Sequence, residues 1–414
     1  MSLKDAVSLP RTSTGPIGSL ATLLERLAGR LLLRLTARLE HGALIVEFPS
    51  GTRFHSMEAD TVPQYLVKLH RWRAIARLLV GGDIGFAKGY MQGDWSTPDI
   101  ARLLEFFAHN EVNLEAAWRG LTFSRWSNRV RHGARVNTRR GSRRNVEAHY
   151  DLGNDFYAAW LDRGMNYSSA LYTGRGQTLE EAQAEKLDRV ISLLDPRPGA
   201  RVLEIGCGWG AFAERLLERK DCCITGITLS REQYAFAKHR LIAVGDRARI
   251  LLKDYRDVKG RFDSIVSIEM LEAVGESYWP VFFKKLHSLL APGGKAVLQV
   301  ITIDESRFQA YRRRPDFIQR FIFPGGMLPT RTIIAQQVAG AGLALTSCQL
   351  FGESYARTLS EWRSRYVRSA PPSGAKHPQS ACFSRMWEYY LAYCEAGFRA
   401  GVLEVGLYQI THRT

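Results

Sequence analysis

The chain has 414 residues, 45% of them apolar, which is enough for about two domain cores at ~150 residues each. Lys and Arg number 57 against 41 Asp and Glu, so an anionic partner fits, either a membrane surface or a nucleic acid, and charge alone does not choose. The six cysteines show no metal-ligand spacing, which argues against a zinc module and suits a reduced cytoplasmic setting.

No signal-peptide pattern opens the chain: Lys4 is followed by Asp5, and no long apolar run comes next. Residues 1–19, with Pro, Gly, Ser and Thr, are expected to be flexible. Leu20 to Leu39 reads as a basic amphipathic helix, with Arg26, Arg30, Arg34 and Arg38 recurring every four residues. It is too charged to span a bilayer core of ~30 Å. Two readings of it stay open: a helix lying on a membrane surface, and a helix packed on its own domain with a solvated arginine stripe.

Residues 20–118 are expected to form a small α+β unit. His41 to Phe54 reads as a hairpin, with a strand from Ala43 to Phe48 and a turn at Pro49-Ser50-Gly51. Pro63 to Val80 and Pro98 to Trp118 have helical periodicity. Residues 119–146 then carry nine arginines (119, 125, 129, 131, 135, 139, 140, 143, 144) and no acid, with Trp118, Phe123 and Trp126 at the start. A solvated linker is the usual reading of such a run; lipid headgroups or single-stranded nucleic acid are the alternatives.

The remainder, 147–414, is read as one catalytic domain. From residue 197 strands and helices alternate. Strands are expected at Arg201–Ile205, Cys222–Ile227, Arg249–Leu252, Phe262–Ile268 and Lys295–Ile301. Helices are expected at Ala211–Lys220, Arg231–Val244 and Tyr278–Leu290. This predicts an α/β fold with a doubly wound parallel sheet, which binds ligands at the carboxyl ends of its strands.

The strongest motif is Val202 to Gly210, a buried strand running into Gly206-x-Gly208-x-Gly210 and a helix. Glycines let the backbone turn tightly and let a ligand approach without Cβ clashes. A dinucleotide site is the rival, but the spacing is GxGxG rather than GxGxxG. Glu204 lies inside the strand, where it can accept from a ligand's ammonium, and the second strand ends in Thr228-Leu229-Ser230 without a ribose-binding acid. These features point to S-adenosylmethionine and a class I methyltransferase. After the third strand, Asp254 is placed to accept from an adenine amino group and Tyr255 to cover the ring.

At this point the chain resembles the cyclopropane-fatty-acyl-phospholipid synthase family, from about residue 41 to 411. The marks are His149 to Tyr157, Met165 to Ser168, the glycine motif, Gly226 to Ser230 with Gln233, Glu269-Met270-Leu271-Glu272, Phe323 to Pro329, and Phe398-Arg399 with the strand Val405–Ile410. Gly82 to Gly85 and Gly89 to Trp95 resemble the lipid-handling domain of bacterial members. The resemblance implies methyl transfer to the cis double bond of an unsaturated phospholipid acyl chain. It implies that Tyr167 and Ser168 contact the methionyl part of the donor, and that Gly206, Gly208, Thr228 and Gln233 contact its nucleoside side. A carbocation follows methyl transfer, and aromatic faces such as Tyr355, Tyr150 or Phe351 are expected to wall it.

Ring-forming members hold bicarbonate as base with a cysteine, a Glu-His pair, a histidine and a tyrosine. Here Ser169 replaces the cysteine, Ala273 follows Glu272 where histidine is expected, Gln299 replaces the second histidine, and Tyr355 is kept. Neutral donors hold an anion less well, so bicarbonate is expected to bind weakly or not at all, with Glu272 either serving as the base or holding a water or another ion. Two products stay open: a cyclopropane, and a methyl-branched or methylene-bearing chain. A methyltransferase for a soluble small molecule or nucleic acid is a rival activity, and a catalytically dead lipid binder a third reading; no nucleic-acid module is seen in residues 40–118. The expected partners are membrane phospholipids with unsaturated chains, an anionic surface at the inner face of the membrane, and a second copy of the chain, with no nucleic acid.

Overall fold

The computed structural model describes residues 16–57, 62–114, 152–369 and 381–413. The arginine run at 119–146, Tyr150 and residues 1–15 lie outside them. The chain divides into two compact units, one from positions 1–132 and 370–400, the other from 133–369 and 401–414.

The first unit begins with helix α1, Pro16–Thr36, so the helix starts inside the stretch expected to be flexible. Arg26, Arg30, Arg34 and Arg38 are all exposed, while Ala28 and Leu35 are buried. The expected hairpin is present: strands β1 (Ala43–Glu47) and β2 (Arg53–His55) pair antiparallel with Val46 opposite Phe54. Residues 64–69, read as helical, instead form strand β3, Gln64–Leu69, parallel to β1. Burial there alternates, with Val67 and Leu69 inside and Lys68 outside, ion-paired to Glu47 across the register. That period of two, completed by a partner strand, outweighs a weak helical pattern. Helix α2 (Arg73–Met91) follows, then the short strand β4 (Trp95–Ser96) and helix α3 (Ile100–His109), capped by Asp99. The sheet order is β2-β1-β3-β4. Gly89 is small for a reason: a Cβ there would sit 2.8 Å from the Trp95 ring.

The second unit is a seven-stranded sheet with order β10-β11-β9-β8-β5-β6-β7. Its strands are β5 (Ala200–Ile205), β6 (Cys222–Thr228), β7 (Ala248–Leu252), β8 (Phe262–Ile268), β9 (Leu290–Ile303), β10 (Leu343–Leu350) and β11 (Leu403–His412). Strands β5 to β9 pair parallel, as expected; β11 runs antiparallel to both β9 and β10. The helices that matter for the site are α4 (Leu179–Leu194), α5 (Ala211–Arg219), α6 (Arg231–Arg240), α7 (Trp279–Leu289) and α8 (Gly352–Ser369). The core packs Leu203, Ile205, Ile265, Phe282, Phe283, Leu286 and Leu298 between sheet and helices. Burying such side chains is the main favourable term, about 1.5–3 kcal/mol each.

The last helix, α9 (Ala381–Arg399), groups with the first unit. Tyr90 Oη donates to Glu388 Oε2 at 2.8 Å, and the rings of Tyr90 and Tyr389 lie 5.8 Å apart. The stretch 147–414 is therefore not one continuous domain. The helical spacing of Trp387, Tyr389 and Tyr390 forms a buried face, but it serves the unit that contains α2 and α3.

Candidate active site

The carboxyl ends of β5 to β9 carry two clusters. The first is the glycine turn after β5. Gly206, Gly208 and Gly210 all have positive φ (84°, 50° and 87°), which side-chain-bearing residues adopt at a cost. The three are not equivalent. A Cβ on Gly210 would meet Ala237 Cβ at 3.2 Å, so this glycine lets α5 lie close to α6. A Cβ on Gly208 meets no described atom within 4 Å, leaving open space beside the turn.

Glu204 is buried in β5, and burial pushes its carboxyl well above the usual range against the pull of Lys186. Its Oε2 has no hydrogen-bond partner among the described residues. A buried carboxylate oxygen left bare beside a turn of open space suits a ligand cation or hydroxyl, and the α-ammonium of S-adenosylmethionine provides one. At the end of β6, Thr228 Oγ1 donates to Gln233 Oε1 at 2.8 Å and accepts from Ser230 N at 3.1 Å, which fixes the start of α6. Both oxygens of Asp254 are engaged by Arg256, at 2.9 and 2.6 Å. Tyr255 stacks edge-on to Phe282 with its hydroxyl buried, and burial raises its pKa to about 12.

The second cluster is built from four separate segments. Glu269, just after β8, is its centre. Its Oε1 accepts from Ser169 N at 2.8 Å and from Gln299 Nε2 at 2.7 Å; its Oε2 accepts from Tyr355 Oη at 2.6 Å. Its own N–H donates to Gln299 O at 2.9 Å. The residue has φ 47°, a left-handed conformation that a glutamate holds only under constraint. Ser169, Gln299 and Tyr355, grouped above through the family resemblance, thus meet on Glu269. Ser169, however, contributes its backbone N–H, because its hydroxyl donates to Ala170 O at 2.8 Å.

Glu272 stands beside them. Its Oε1 accepts from Ile301 N at 2.5 Å, and its Oε2 has no partner among the described residues. Burial and then the nearby Glu269 charge raise its pKa to about 8. The pKa of Glu269 is raised by burial, but its three donors and Lys186 pull it back. The two carboxyls therefore diverge. Glu269 has three donors and Lys186 set against its burial, whereas Glu272 has one donor and a neighbouring carboxyl that adds to the rise.

Lys186 was not singled out from the sequence. It is fully buried on α4, with Nζ donating to Ser168 Oγ at 2.7 Å. Burial pushes it down to about 8, opposed by the charges of Glu269, Asp162 and Glu204. The signal was present: the buried face of α4 runs Leu179, Ala182, Gln183, Lys186, Leu187, Val190, so the lysine sits on an apolar stripe. Tyr167 packs in a wall of aromatic rings with Trp160 and Trp362 at 5.4 and 5.6 Å, and Tyr355 meets Trp362 edge-on at 6.1 Å.

A seven-stranded sheet of this order, with a glycine turn after strand β5 and an acid inside that strand, defines a class I S-adenosylmethionine-dependent methyltransferase. A family model described as mycolic acid cyclopropane synthetase matches residues 137–409. The tuberculostearic acid methyltransferase UfaA1 of Mycobacterium tuberculosis is 38% identical over 97% of this chain and 94% of its own length. The cyclopropane-fatty-acyl-phospholipid synthase of Escherichia coli is 33% identical over 81% of this chain and 84% of its own. The solved mycolic acid cyclopropane synthase CmaA1, complexed with S-adenosylhomocysteine and CTAB, superposes with a TM-score of 0.60 at 31% identity, covering 65% of this chain and 97% of that one.

The chain belongs to the mycolic acid cyclopropane synthetase family. It is an S-adenosylmethionine-dependent C-methyltransferase of the lipid-modifying kind. Among the described residues, no helix is long and apolar enough to cross a membrane.

Proposed function

We propose that the enzyme methylates the cis double bond of an unsaturated phospholipid acyl chain and releases a methyl-branched or methylene-bearing chain rather than a ring. The observation that carries this is the second cluster: the donors Ser169 N, Gln299 Nε2 and Tyr355 Oη already grip the carboxylate of Glu269. The histidines that ring-forming members use to hold a free anion are absent at Ala273 and Gln299. The likeness to a tuberculostearic acid methyltransferase along 97% of the chain supports the same product class.

S-adenosylmethionine, when bound, supplies an electrophilic methyl group. The open space beside Gly208 accepts one edge of the donor, and Glu204 is set for its ammonium. Tyr167 and Ser168 border the reacting side, with Lys186 fixing the Ser168 hydroxyl. The aromatic wall of Trp160, Tyr167, Trp362 and Tyr355 excludes water and presents electron-rich faces to positive charge on the acyl chain. Phe351, also expected in the wall, is buried at the start of α8.

The substrate sits in a bilayer, so the enzyme works at its surface, at the inner face of the membrane. Helix α1 is suited to such a surface, since it exposes Arg26, Arg30 and Arg34 together with Leu23 and Leu27, and Arg38 is exposed just beyond its end.

The test is expression in a host lacking such enzymes, with mass analysis of the fatty acids before and after catalytic hydrogenation. The expected result is a gain of one CH2 that then takes up one H2. A gain inert to hydrogenation overturns the product and returns the cyclopropane reading, which the Escherichia coli relative favours. No gain with any phospholipid overturns the lipid substrate.

A further inference from the structure

We propose that the base of this reaction is Glu269, a carboxylate built into the chain, in place of any dissolved anion. The inference rests on the lipid methyl transfer proposed above, and deepens it.

Four observations converge. First, three donors from three other segments aim at one carboxylate: the Ser169 N–H, the Gln299 amide on β9 and the Tyr355 hydroxyl on α8. A carboxylate has about four acceptor positions, so one remains on Oε2 for an incoming proton. Second, the backbone of Glu269 is held left-handed and tied to Gln299 O, so its position is preset rather than adopted on binding. Third, the groups facing it sort the charge. Lys186 favours the anion, Tyr355 is a neutral donor, and Glu272 sits protonated beside it. Fourth, Tyr355 links the carboxylate directly to the aromatic wall through Trp362.

The step balances without another reactant. After methyl transfer the acyl chain carries a carbocation. A C–H bond next to the cationic carbon breaks (for the methylene product, after a 1,2-hydride shift moves the cation to the methylated carbon); its electron pair forms the new C=C bond, and the proton bonds to Oε2 of Glu269. The neutral acid then returns its proton to water as product leaves.

Two arms test this with the full-length protein. In the first, turnover is measured on vesicles of unsaturated phosphatidylglycerol in buffer stripped of carbon dioxide and in buffer with added bicarbonate. Wild type is expected to run equally fast in both. Glu269→Gln is expected to lose about 100-fold or more in turnover, the usual worth of a general base, with S-adenosylmethionine affinity unchanged by calorimetry. Glu269→Ala is expected to regain part of its rate with formate or bicarbonate.

A wild-type enzyme that stops without bicarbonate overturns the proposal, as does a folded Glu269→Gln that keeps more than about a tenth of its rate. The second arm needs no substrate: 13C-labelled bicarbonate is titrated into wild type and Glu269→Ala and followed by NMR line broadening. Binding by the variant alone supports the proposal. Binding of equal strength by wild type overturns it, whether or not any lipid proves to be methylated.

Discussion

The two clusters at the carboxyl edge of the sheet are built in opposite ways. The turn proposed to bind the methyl donor is nearly all local: Glu204, Gly206, Gly208 and Gly210 lie within seven consecutive positions, and Thr228 and Gln233 meet across one strand-to-helix turn. The cluster proposed to hold the base is nearly all long-range: residues 169, 269, 299 and 355 meet on one carboxylate from four parts of the chain. A backbone requirement is written in neighbouring letters, because glycine is needed where φ is positive. An anion held by convergent donors leaves no such trace, least of all when one donor is a backbone N–H that any residue at position 169 except proline supplies.

The sharpest way to break this contrast is Gly206→Val. The position has φ 84°, and a Cβ would lie 3.0 Å from Met270 Cγ, so a β-branched side chain must distort the turn. Calorimetry is expected to find no binding of S-adenosylmethionine by the folded variant. Normal binding would mean that the local motif is not the donor site.

Next in size is Lys186→Met. It keeps the length of the side chain but strips the cation from among Glu269, Glu204 and Asp162. The charge-assisted bond to Ser168 Oγ goes as well, and such bonds are worth about 1.5–3 kcal/mol. The midpoint of denaturant unfolding should fall accordingly. An unchanged midpoint would show that the three acids need no counter-charge.

Legibility followed the same division in the rest of the fold. The strand Phe262–Ile268 is readable to the residue because it is a short run with β-branched Ile265, Val266 and Ile268, and a glycine turn at 260 bounds it. The helix from Arg231 stops at Arg240, four residues early, where a tight turn leading to Gly245 at φ 60° takes over. Strand β10 was not readable at all: most of Leu343–Leu350 is exposed, so no alternation marks it, and its pairing with β11 alone defines it. Glu269 opens the motif Glu269-Met270-Leu271-Glu272, which is plain in the sequence. The family's acid aligns with Glu272, and only the geometry shows which of the two carboxyls collects the donors.

A smaller effect sharpens the long-range half. Tyr355→Phe deletes one charge-assisted donor to Glu269 and leaves the ring against Trp362. Such bonds are worth about 1.5–3 kcal/mol, so turnover should fall roughly tenfold or more. The donor favours the ionised carboxylate, so its loss raises the pKa of Glu269 further. The acid limb of the rate profile should therefore move to higher pH. A drop in rate with no movement of that limb would make Tyr355 a packing residue.

The smallest effect on turnover is expected at Glu272→Gln, the change that the sequence alone marks as fatal. Glu272 has a pKa raised to about 8 by burial and by Glu269, so near neutral pH it is mostly the uncharged acid, which glutamine imitates. The amide oxygen can keep the bond from Ile301 N. Turnover at neutral pH should fall by less than about tenfold, well short of the usual worth of a base. Stability carries the clearer signature. A carboxyl with a raised folded pKa binds more protons folded than unfolded, so its contribution is complete below the ordinary carboxylate range and is lost as pH rises through about 8. Glutamine has no proton to lose. The melting temperature of the variant relative to wild type should therefore climb between pH 6 and pH 9. A flat difference, with turnover down by the factor expected for Glu269, would move the base three residues along the chain and make the acid of the local motif the catalytic one after all.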